Sequence, residues 1–300
     1  MNVLKYIDIT EGRKMDYNLC DPGTVERLLK KHGFTFSKAL GQNFLINEDV
    51  CPAMAEALNA DETTGVLEIG PGIGVLTKEL CRVAGRVAAI ELDRRLCPLL
   101  AETLGDYGNF ELIEGDVMKL DLAALIKEKF DDCAAVKVCA NLPYYITSPV
   151  IMTLLESNLP IDEIVVMVQK EAAERLCAAV GTREAGAVTV AVQYYGDSEI
   201  LFPVGRESFM PSPKVDSAVI RITLHRARAY DIADEKRFFS LVKAAFSQRR
   251  KTLVNSLSST AGIPKAQLTE ALAALSLPAA VRAENLTMED FVSLYKVLNK

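Results

Sequence analysis

Short apolar segments alternate with amphipathic ones through the first two thirds of the chain. The apolar runs predict strands at residues 66–70, 87–91, 110–114, 135–139 and 164–168. Most intervals between them hold helix-like segments, such as 75–83 and 94–104. Runs that are apolar on both faces and separated by helices are typical of a parallel sheet covered on both sides. The pattern therefore predicts an α/β fold, in which ligands bind beyond the carboxyl ends of the strands.

Two helices and a loop are predicted before the first of these strands. A helix over 21–33 is marked by Asp21 as the N-cap and Pro22 at its first position. A second helix is predicted from about 47 to 58. The segment 36–45 follows neither the helical nor the strand period, so it is predicted to be a loop.

The loop has unusual content for a connection. Hydrogen-bonding Gln42 and Asn43 stand directly before apolar Phe44 and Leu45. This combination suits a segment that folds over a ligand. The alternative is a linker that packs Phe44 into the core.

The last third of the chain changes character. A helix is predicted at 170–180, the segment 187–195 is ambiguous between helix and strand, and a strand is predicted at 218–224. From about residue 230 the pattern is helical throughout, with helices predicted at 234–247, 249–260, 264–275 and 287–298. These patterns predict an α/β domain over 1–229, with an N-terminal extension of about 1–20, and a small helical domain over 230–300.

The first strand runs into three alternating glycines, Gly70, Gly72 and Gly74. Glycine accepts a positive φ and lets the backbone approach a ligand closely, and turns of this kind between a strand and a helix bind nucleotide-like cofactors. The dinucleotide fingerprint requires a glycine at its sixth position, which here is Val75 when counting begins at Gly70. The turn therefore predicts a nucleotide-like cofactor and disfavours NAD.

Acidic residues follow the next two strands. Glu91 ends the second strand, 21 positions after Gly70, where an acid accepts hydrogen bonds from ribose hydroxyls. Asp116 ends the third strand and is placed to accept from the exocyclic amine of an adenine. For either acid alone, a solvated strand end or a helix cap is the better interpretation. Their placement at successive strand ends favours a shared cofactor site.

The fourth strand leads into Asn-Leu-Pro-Tyr at 141–144, which resembles the Asn/Asp-Pro-Pro-Tyr/Phe motif of methyltransferases that act on base amino groups. The N6 lone pair of adenine is delocalised into the ring, so the amine is a poor nucleophile. The side-chain carbonyl of Asn141 and the backbone carbonyl of Leu142 would hold this amine toward a methyl donor. Tyr144 offers a ring for the base to stack on. The alternative is a strand that ends at a proline, with core tyrosines.

Candidate contacts to the target base and to phosphate groups lie later in the chain. Phe209 opens a proline-rich loop at 209–217 and is predicted to stack on the second face of the base, or else to cap the core. Lys214 in this loop is a candidate phosphate contact. Arg249, Arg250 and Lys251 cluster at a predicted helix start, where cations oppose the helix dipole unless an anion is near. This cluster favours a phosphate-binding role.

Composition narrows the class of protein. The net charge is −6, but the last hundred residues carry +6 and the first two hundred −12, so the basic surface lies in the last third. Seven cysteines without a CxxC pair and only two histidines argue against zinc and against a disulfide framework. The chain shows neither a signal-peptide pattern nor an apolar run that would span a bilayer, which predicts a cytoplasmic protein.

Taken together, these motifs resemble the KsgA-type family of ribosomal RNA adenine N6,N6-dimethyltransferases. The resemblance covers nearly all of the chain from residue 36 onward. It rests on LGQNFL at 40–45, EIGPGIG at 68–74, Glu91, GD at 115–116, NLPYY at 141–145, FMPSPKVDS at 209–217 and RRKTL at 249–253. It implies a Rossmann-like class I methyltransferase sheet with a small C-terminal all-helical domain.

The resemblance also implies a cofactor and a substrate. The implied cofactor is S-adenosyl-L-methionine, with contacts from Asn43, Leu45, Gly70, Glu91, Asp116 and Asn141. The implied reaction transfers four methyl groups to two adjacent adenosines in a hairpin near the 3′ end of 16S ribosomal RNA, within the small ribosomal subunit. The sequence pI of about 5.2 is lower than expected for such a protein.

Three alternatives remain. One resembles the family that methylates an adenine of large-subunit ribosomal RNA and confers macrolide resistance; it shares the catalytic motifs, but 209–217 and the long helical tail suit it less well. Another is a non-catalytic RNA-binding assembly factor, or a relative adapted to assist transcription, against which the intact Glu91, Asp116 and Asn141 argue. The third, an NAD oxidoreductase, is disfavoured by Val75. A monomer is the default expectation.

Overall fold

The computed structural model describes residues 5–7, 17–37 and 41–299. The chain forms two compact units, one of residues 1–173 and 199–224 and the other of 174–198 and 225–300. The domain boundary expected at 229/230 stays a prediction, as does the N-terminal extension, most of which lies outside the described residues.

The first unit is built on a sheet with the order β1-β5-β4-β3-β6-β7-β10-β8. Its strands, together with the short pair β2 and β9, are β1 (Lys5–Ile7), β2 (Phe44–Leu45), β3 (Thr64–Ile69), β4 (Arg86–Glu91), β5 (Phe110–Glu114), β6 (Ala135–Asn141), β7 (Glu163–Gln169), β8 (Gly196–Val204), β9 (Phe209–Met210) and β10 (Ser217–Leu224). Strands β3 to β7 pair in parallel, whereas β1 and β10 pair antiparallel to β5 and β7. The predicted α/β fold with a parallel sheet is confirmed.

Helices separate the parallel strands, as the sequence pattern predicts. They are α3 (Val75–Val83), α4 (Cys97–Leu104), α5 (Leu122–Phe130) and α6 (Thr147–Glu156). Two further helices, α1 (Pro22–Lys31) and α2 (Val50–Ala57), precede β3, and α7 (Lys170–Leu176) follows β7. All six residues of β3 are buried, because helices cover both faces of the sheet. This double burial is the reason that the strands read as uninterrupted apolar runs. At the start of α1, Asp21 Oδ2 accepts a hydrogen bond from the Thr24 amide at 2.8 Å, so the expected N-cap is confirmed.

The second unit is helical and contains α8 (Ala187–Tyr195), α9 (Glu235–Phe246), α10 (Leu253–Thr260), α11 (Lys265–Ala274) and α12 (Met288–Leu298). The ambiguous segment 187–195 is a helix. Tyr194 and Tyr195 are buried, and both hydroxyls donate to the Glu235 carboxylate at 2.8 Å. Their rings also pack against Phe239, so burial between helices decides the local structure that periodicity left open.

The helix predicted at 249–260 begins four residues later than expected. Thr252 is its N-cap, and a tight turn closed by the hydrogen bond from the Lys251 amide to the Gln248 carbonyl precedes it. Arg249 and Arg250 therefore lie in this turn rather than in a first helical turn. Across the described residues, no helix has the length and apolar character needed to cross a bilayer.

The sequence pattern did not predict β8 or the two-residue strands β2 and β9. In the latter pair, Leu45 lies opposite Phe209 and Phe44 opposite Met210. This short ladder joins the early loop to the proline-rich loop more than 160 residues later. The pairing brings two motifs of the sequence to the same side of the sheet.

Candidate active site

A cleft of about 1160 Å³, open to solvent, lies at the carboxyl ends of the parallel strands. Its lining includes the cofactor and base contacts expected from the sequence: Asn43, Leu45, Gly70, Glu91, Asp116, Asn141, Leu142, Tyr144 and Phe209. These residues come from segments spread between positions 41 and 209 of the chain, and the strand order alone gathers the central ones. The four predicted RNA-binding cations do not contribute to this lining.

The glycine turn follows β3 and has positive φ at all three glycines, +74° at Gly70, +62° at Gly72 and +92° at Gly74. A Cβ at Gly70 would meet no atom within 4 Å, whereas one at Gly72 would lie 3.3 Å from the ring of Phe44. A Cβ at Gly74 would lie 3.1 Å from Leu104. Gly70 is therefore required for its backbone conformation, and the other two also for close packing.

Glu91 ends β4 and lines the cleft with a side chain that is only 6% exposed. Its Oε1 accepts from the Asp93 amide at 2.7 Å, and its Oε2 accepts from the Gly72 amide at 3.2 Å. Burial raises the pKa of Glu91 to about 7. A carboxylate oxygen can accept more than one hydrogen bond, so Glu91 is held in place and retains acceptor capacity for two ribose hydroxyls.

Asp116 follows β5 and is less buried than Glu91. Its Oδ1 accepts from the Met118 amide at 3.0 Å, and its Oδ2 lies 3.2 Å from Lys119 Nζ. The turn thus fixes the carboxylate at the edge of the cleft. One lone pair on each oxygen remains for a donor such as an exocyclic amine.

The sequence pattern did not single out Glu68 as a site residue, although it belongs to the glycine motif. Its side chain is 1% exposed and lines the cleft. Its Oε2 makes no hydrogen bond to the described residues, and burial raises the pKa of Glu68 to about 8. A buried carboxylate oxygen without a partner is costly, and a cationic group in the cleft would offset that cost. An acid in an otherwise apolar strand was the signal available in the sequence.

In the cofactor-free chain, stability is expected to fall as the pH rises from about 5 to about 8. The pKa values of Glu68 and Glu91 are raised by burial to about 8 and about 7, whereas a glutamate in an unfolded chain titrates near about 4.3. Between these values the folded chain retains protons that the unfolded chain has lost. The free energy of unfolding therefore decreases with rising pH, and urea unfolding at a series of pH values measures the slope.

Glu68→Gln is expected to flatten this slope, because the amide does not titrate. Glu62→Gln, at an exposed carboxyl group in the same unit, is the matched control and is expected to keep the wild-type slope. An identical slope in wild type and Glu68→Gln would show that the buried carboxyl group does not govern the pH dependence.

The Asn-Leu-Pro-Tyr motif lies where β6 ends. Asn141 is the last residue of β6, and the Leu142 amide donates to the Met167 carbonyl on β7 at 3.2 Å. Tyr144 starts a short 3₁₀ helix, its hydroxyl is 2.8 Å from Ser217 Oγ, and burial raises its pKa. Both its backbone and its hydroxyl are therefore fixed. Tyr145 also lines the cleft, but it is 54% exposed.

Phe209 lies both at the cleft and in the core. It lines the cleft, and it is also 4% exposed within a hydrophobic cluster of buried residues. Its partner in the ladder, Leu45, is buried in the same cluster. Stacking of Phe209 on a target base stays a prediction.

The early loop reaches the cleft at 41–45. The Asn43 side chain donates to the Gly41 carbonyl at 3.1 Å, which restrains it within the loop, and it lines the cleft. Leu40, the first residue of the LGQNFL motif, lies outside the described residues. Gln42 also lines the cleft, although the sequence did not assign it a contact.

The predicted RNA-binding cations are all exposed. Lys214 lies in the proline-rich loop of the first unit. Arg249, Arg250 and Lys251 lie in the turn before α10 of the second unit, where an Arg249 guanidinium nitrogen donates to the Arg183 carbonyl at 2.9 Å. Their contact with RNA stays a prediction.

The sequence of this chain is similar to those of known proteins. A family model described as ribosomal RNA adenine dimethylase matches residues 33–300. The chain is 43% identical over 291 residues to the ribosomal RNA small subunit methyltransferase A of Bacillus pumilus, covering 95% of this chain and 99% of the relative.

Two solved structures are similar along most of their length. A dimethyladenosine transferase from Plasmodium falciparum superposes with a TM-score of 0.69 at 27% identity, covering 85% of this chain and 97% of that one. The 23S rRNA methyltransferase ErmE superposes with a TM-score of 0.63 at 26% identity, covering 86% of this chain and 100% of that one.

Proposed function

The chain belongs to the ribosomal RNA adenine dimethylase family, and on that premise we propose that it transfers methyl groups from S-adenosyl-L-methionine to the N6 atoms of adenosines in ribosomal RNA. The observation that carries the proposal is the single cleft that holds the glycine turn, two acids at successive strand ends and the Asn-Leu-Pro-Tyr motif. A nucleoside cofactor and an amino-group substrate both find suitable partners there.

The residues of the cleft fit the proposed cofactor. Glu91 would accept hydrogen bonds from the ribose hydroxyls and Asp116 from the adenine amine, whereas the glycine turn would give the methionyl end close access to the backbone. Glu68 supplies a buried carboxyl group, whose Oε2 makes no hydrogen bond to the described residues, that suits the cofactor's ammonium group. When bound, S-adenosyl-L-methionine supplies an electrophilic methyl group on a sulfonium, which leaves as a neutral thioether.

The residues of the NLPY motif orient the target amine. The two N–H groups of the amine donate hydrogen bonds to the Asn141 side-chain carbonyl and the Leu142 backbone carbonyl. These bonds turn the nitrogen lone pair toward the methyl group. Tyr144, with its hydroxyl held by Ser217, and Phe209 provide aromatic walls for the base. Because the leaving group is already activated, the proton released from N6 passes to water without a dedicated base.

We propose 16S ribosomal RNA in the small ribosomal subunit as the substrate, with two adjacent adenosines dimethylated in the hairpin near its 3′ end. Support comes from the relative whose name specifies the small subunit, which matches over 99% of its own length. A large-subunit substrate is the second candidate, because ErmE shares the fold over most of this chain at lower identity. We propose that the helical segment 230–300 contributes RNA contacts. We also propose that the protein is a monomer and acts in the cytoplasm.

The test is incubation of the purified chain with methyl-labelled S-adenosyl-L-methionine and unmethylated small ribosomal subunits, with unmethylated 23S ribosomal RNA in parallel. We expect N6,N6-dimethyladenosine from the small subunit alone on nucleoside analysis. Label in 23S RNA alone would select the second candidate. Cofactor binding without any transfer would replace both with a non-catalytic assembly role.

A further inference from the structure

A charged side chain behind the cleft links two of its walls. Asp93 lies two residues after Glu91 and is only 6% exposed, which is rare for a carboxylate unless it is paired. Arg95 holds it from one side, with Nε at 2.8 Å from Oδ1 and a terminal nitrogen at 2.6 Å from Oδ2. From the other side, Gln42 Nε2 donates to Oδ2 at 2.8 Å. The carboxylate is thus bound by two elements of the same unit.

The contacts of Gln42 and Arg95 extend to the rest of the early loop. Gln42 Oε1 accepts from the Ser37 amide at 2.9 Å, so both ends of its amide group are engaged. A terminal nitrogen of Arg95 donates to the Thr35 carbonyl at 3.3 Å, and the guanidinium lies 4.9 Å from the ring centre of Phe34. Described residues on both sides of 38–40 are therefore attached to the segment that follows β4.

The same aspartate also contacts a proposed cofactor residue. Its amide donates to Glu91 Oε1, while the next residue after Gln42 is Asn43, which lines the cleft. The backbone of Asp93 is therefore hydrogen-bonded to Glu91, and its side chain is hydrogen-bonded to Gln42, the neighbour of Asn43. It does not itself line the cleft.

We propose that Asp93 and Gln42 form a latch, whose hydrogen bond ties the loop carrying Asn43 and Leu45 to the strand end carrying Glu91 and so positions both for the cofactor. The latch rests on the proposed function for the identity of that cofactor. Both members are positioning residues. Breaking the latch frees one wall of the pocket and so lowers affinity for the cofactor, whereas the NLPY motif that orients the amine keeps its own contacts.

Gln42→Glu tests the latch with minimal change in volume, because it replaces the donor that faces Asp93 with a second carboxylate. We expect the KM for S-adenosyl-L-methionine and the Kd for S-adenosylhomocysteine to rise by about tenfold, with kcat at saturating cofactor within about twofold of wild type. Gln42→Ala is expected to shift both constants in the same direction. Calorimetric titration gives the Kd without any need for turnover.

The double variant Gln42→Glu with Asp93→Asn provides the rescue. In it the amide of residue 93 donates to the carboxylate of residue 42, so the hydrogen bond returns with its polarity reversed. The same change removes an acceptor of the Arg95 guanidinium, so we expect both constants to recover in part, to values between those of wild type and Gln42→Glu. Asn109→Ala is the structural control, because Asn109 Nδ2 donates to the carbonyls of Cys81 and Ala84 away from the cleft. It is expected to lower the unfolding temperature without a change in either constant.

The outcomes separate the two proposals. The latch alone would be overturned if the wild type binds S-adenosylhomocysteine and methylates RNA, and the Gln42 variants stay within twofold of it in KM and Kd. A double variant no better than Gln42→Glu would overturn it as well, since a pairwise contact must show coupling. Wild type that neither binds S-adenosylhomocysteine nor methylates RNA would overturn the proposed function and the latch together.

Discussion

Asn141→Ala is expected to lower the rate of methyl transfer by about 100-fold or more while changing cofactor affinity by no more than about threefold. The side-chain carbonyl is proposed to hold an amine whose lone pair is delocalised, so its loss affects the transition state more than the bound cofactor. The position of Asn141 at the end of β6, next to the fixed Leu142 backbone, pre-organises that carbonyl.

Single-turnover rates and calorimetric titration with S-adenosylhomocysteine separate the two effects. Asn141→Asp is the matched control, because it keeps an acceptor oxygen at the same place and is expected to retain more activity than the alanine variant. Equal losses of rate and affinity in Asn141→Ala would assign the residue to cofactor binding and remove its orienting role.

Replacing Arg249 and Arg250 together with alanine is expected to weaken RNA binding by about tenfold or more at low salt and to flatten its salt dependence. Each cation that neutralises a phosphate releases counterions, so loss of two contacts lowers the slope of log K against log salt by between about 1 and 2. Filter binding or fluorescence anisotropy over a salt series measures both quantities.

The turn that carries these cations is held on both sides. The Lys251 amide bonds to the Gln248 carbonyl, and Gln248 Nε2 donates to Ser259 Oγ at 2.9 Å on α10. Side chains on a fixed turn lose little backbone entropy when they bind a phosphate backbone. This structural support is the reason for expecting a large effect from two exposed residues.

Arg27→Ala with Lys30→Ala provides the control. Both residues are exposed on α1 of the first unit, and their loss changes the net charge by the same amount. We expect the salt slope of this variant to match wild type, because a change in overall charge alone does not remove a phosphate contact. A wild-type slope in the Arg249 and Arg250 variant would place the RNA surface elsewhere on the chain.

Local sequence determined most of the elements in this protein. The five parallel strands and the helices between them follow from burial, since a strand covered on both faces needs apolar residues at successive positions. The N-cap at Asp21 and the three positive φ angles of the glycine turn likewise depend on chemistry within a few residues. The motifs at 68–74 and 141–145 were visible for the same reason.

Only the tertiary structure decided the features that depend on distant partners. The segment 187–195 is a helix because its tyrosines are buried against α9, and Leu45 reaches Phe209 through a ladder that no local pattern encodes. Gln42 and Asp93 are 51 positions apart, so their hydrogen bond is absent from any window of sequence. Glu68 reads as an ordinary acid in the motif until burial of its whole side chain is seen. Periodicity specifies which face of an element is apolar, whereas the partner of that face is set by the packing of the whole chain.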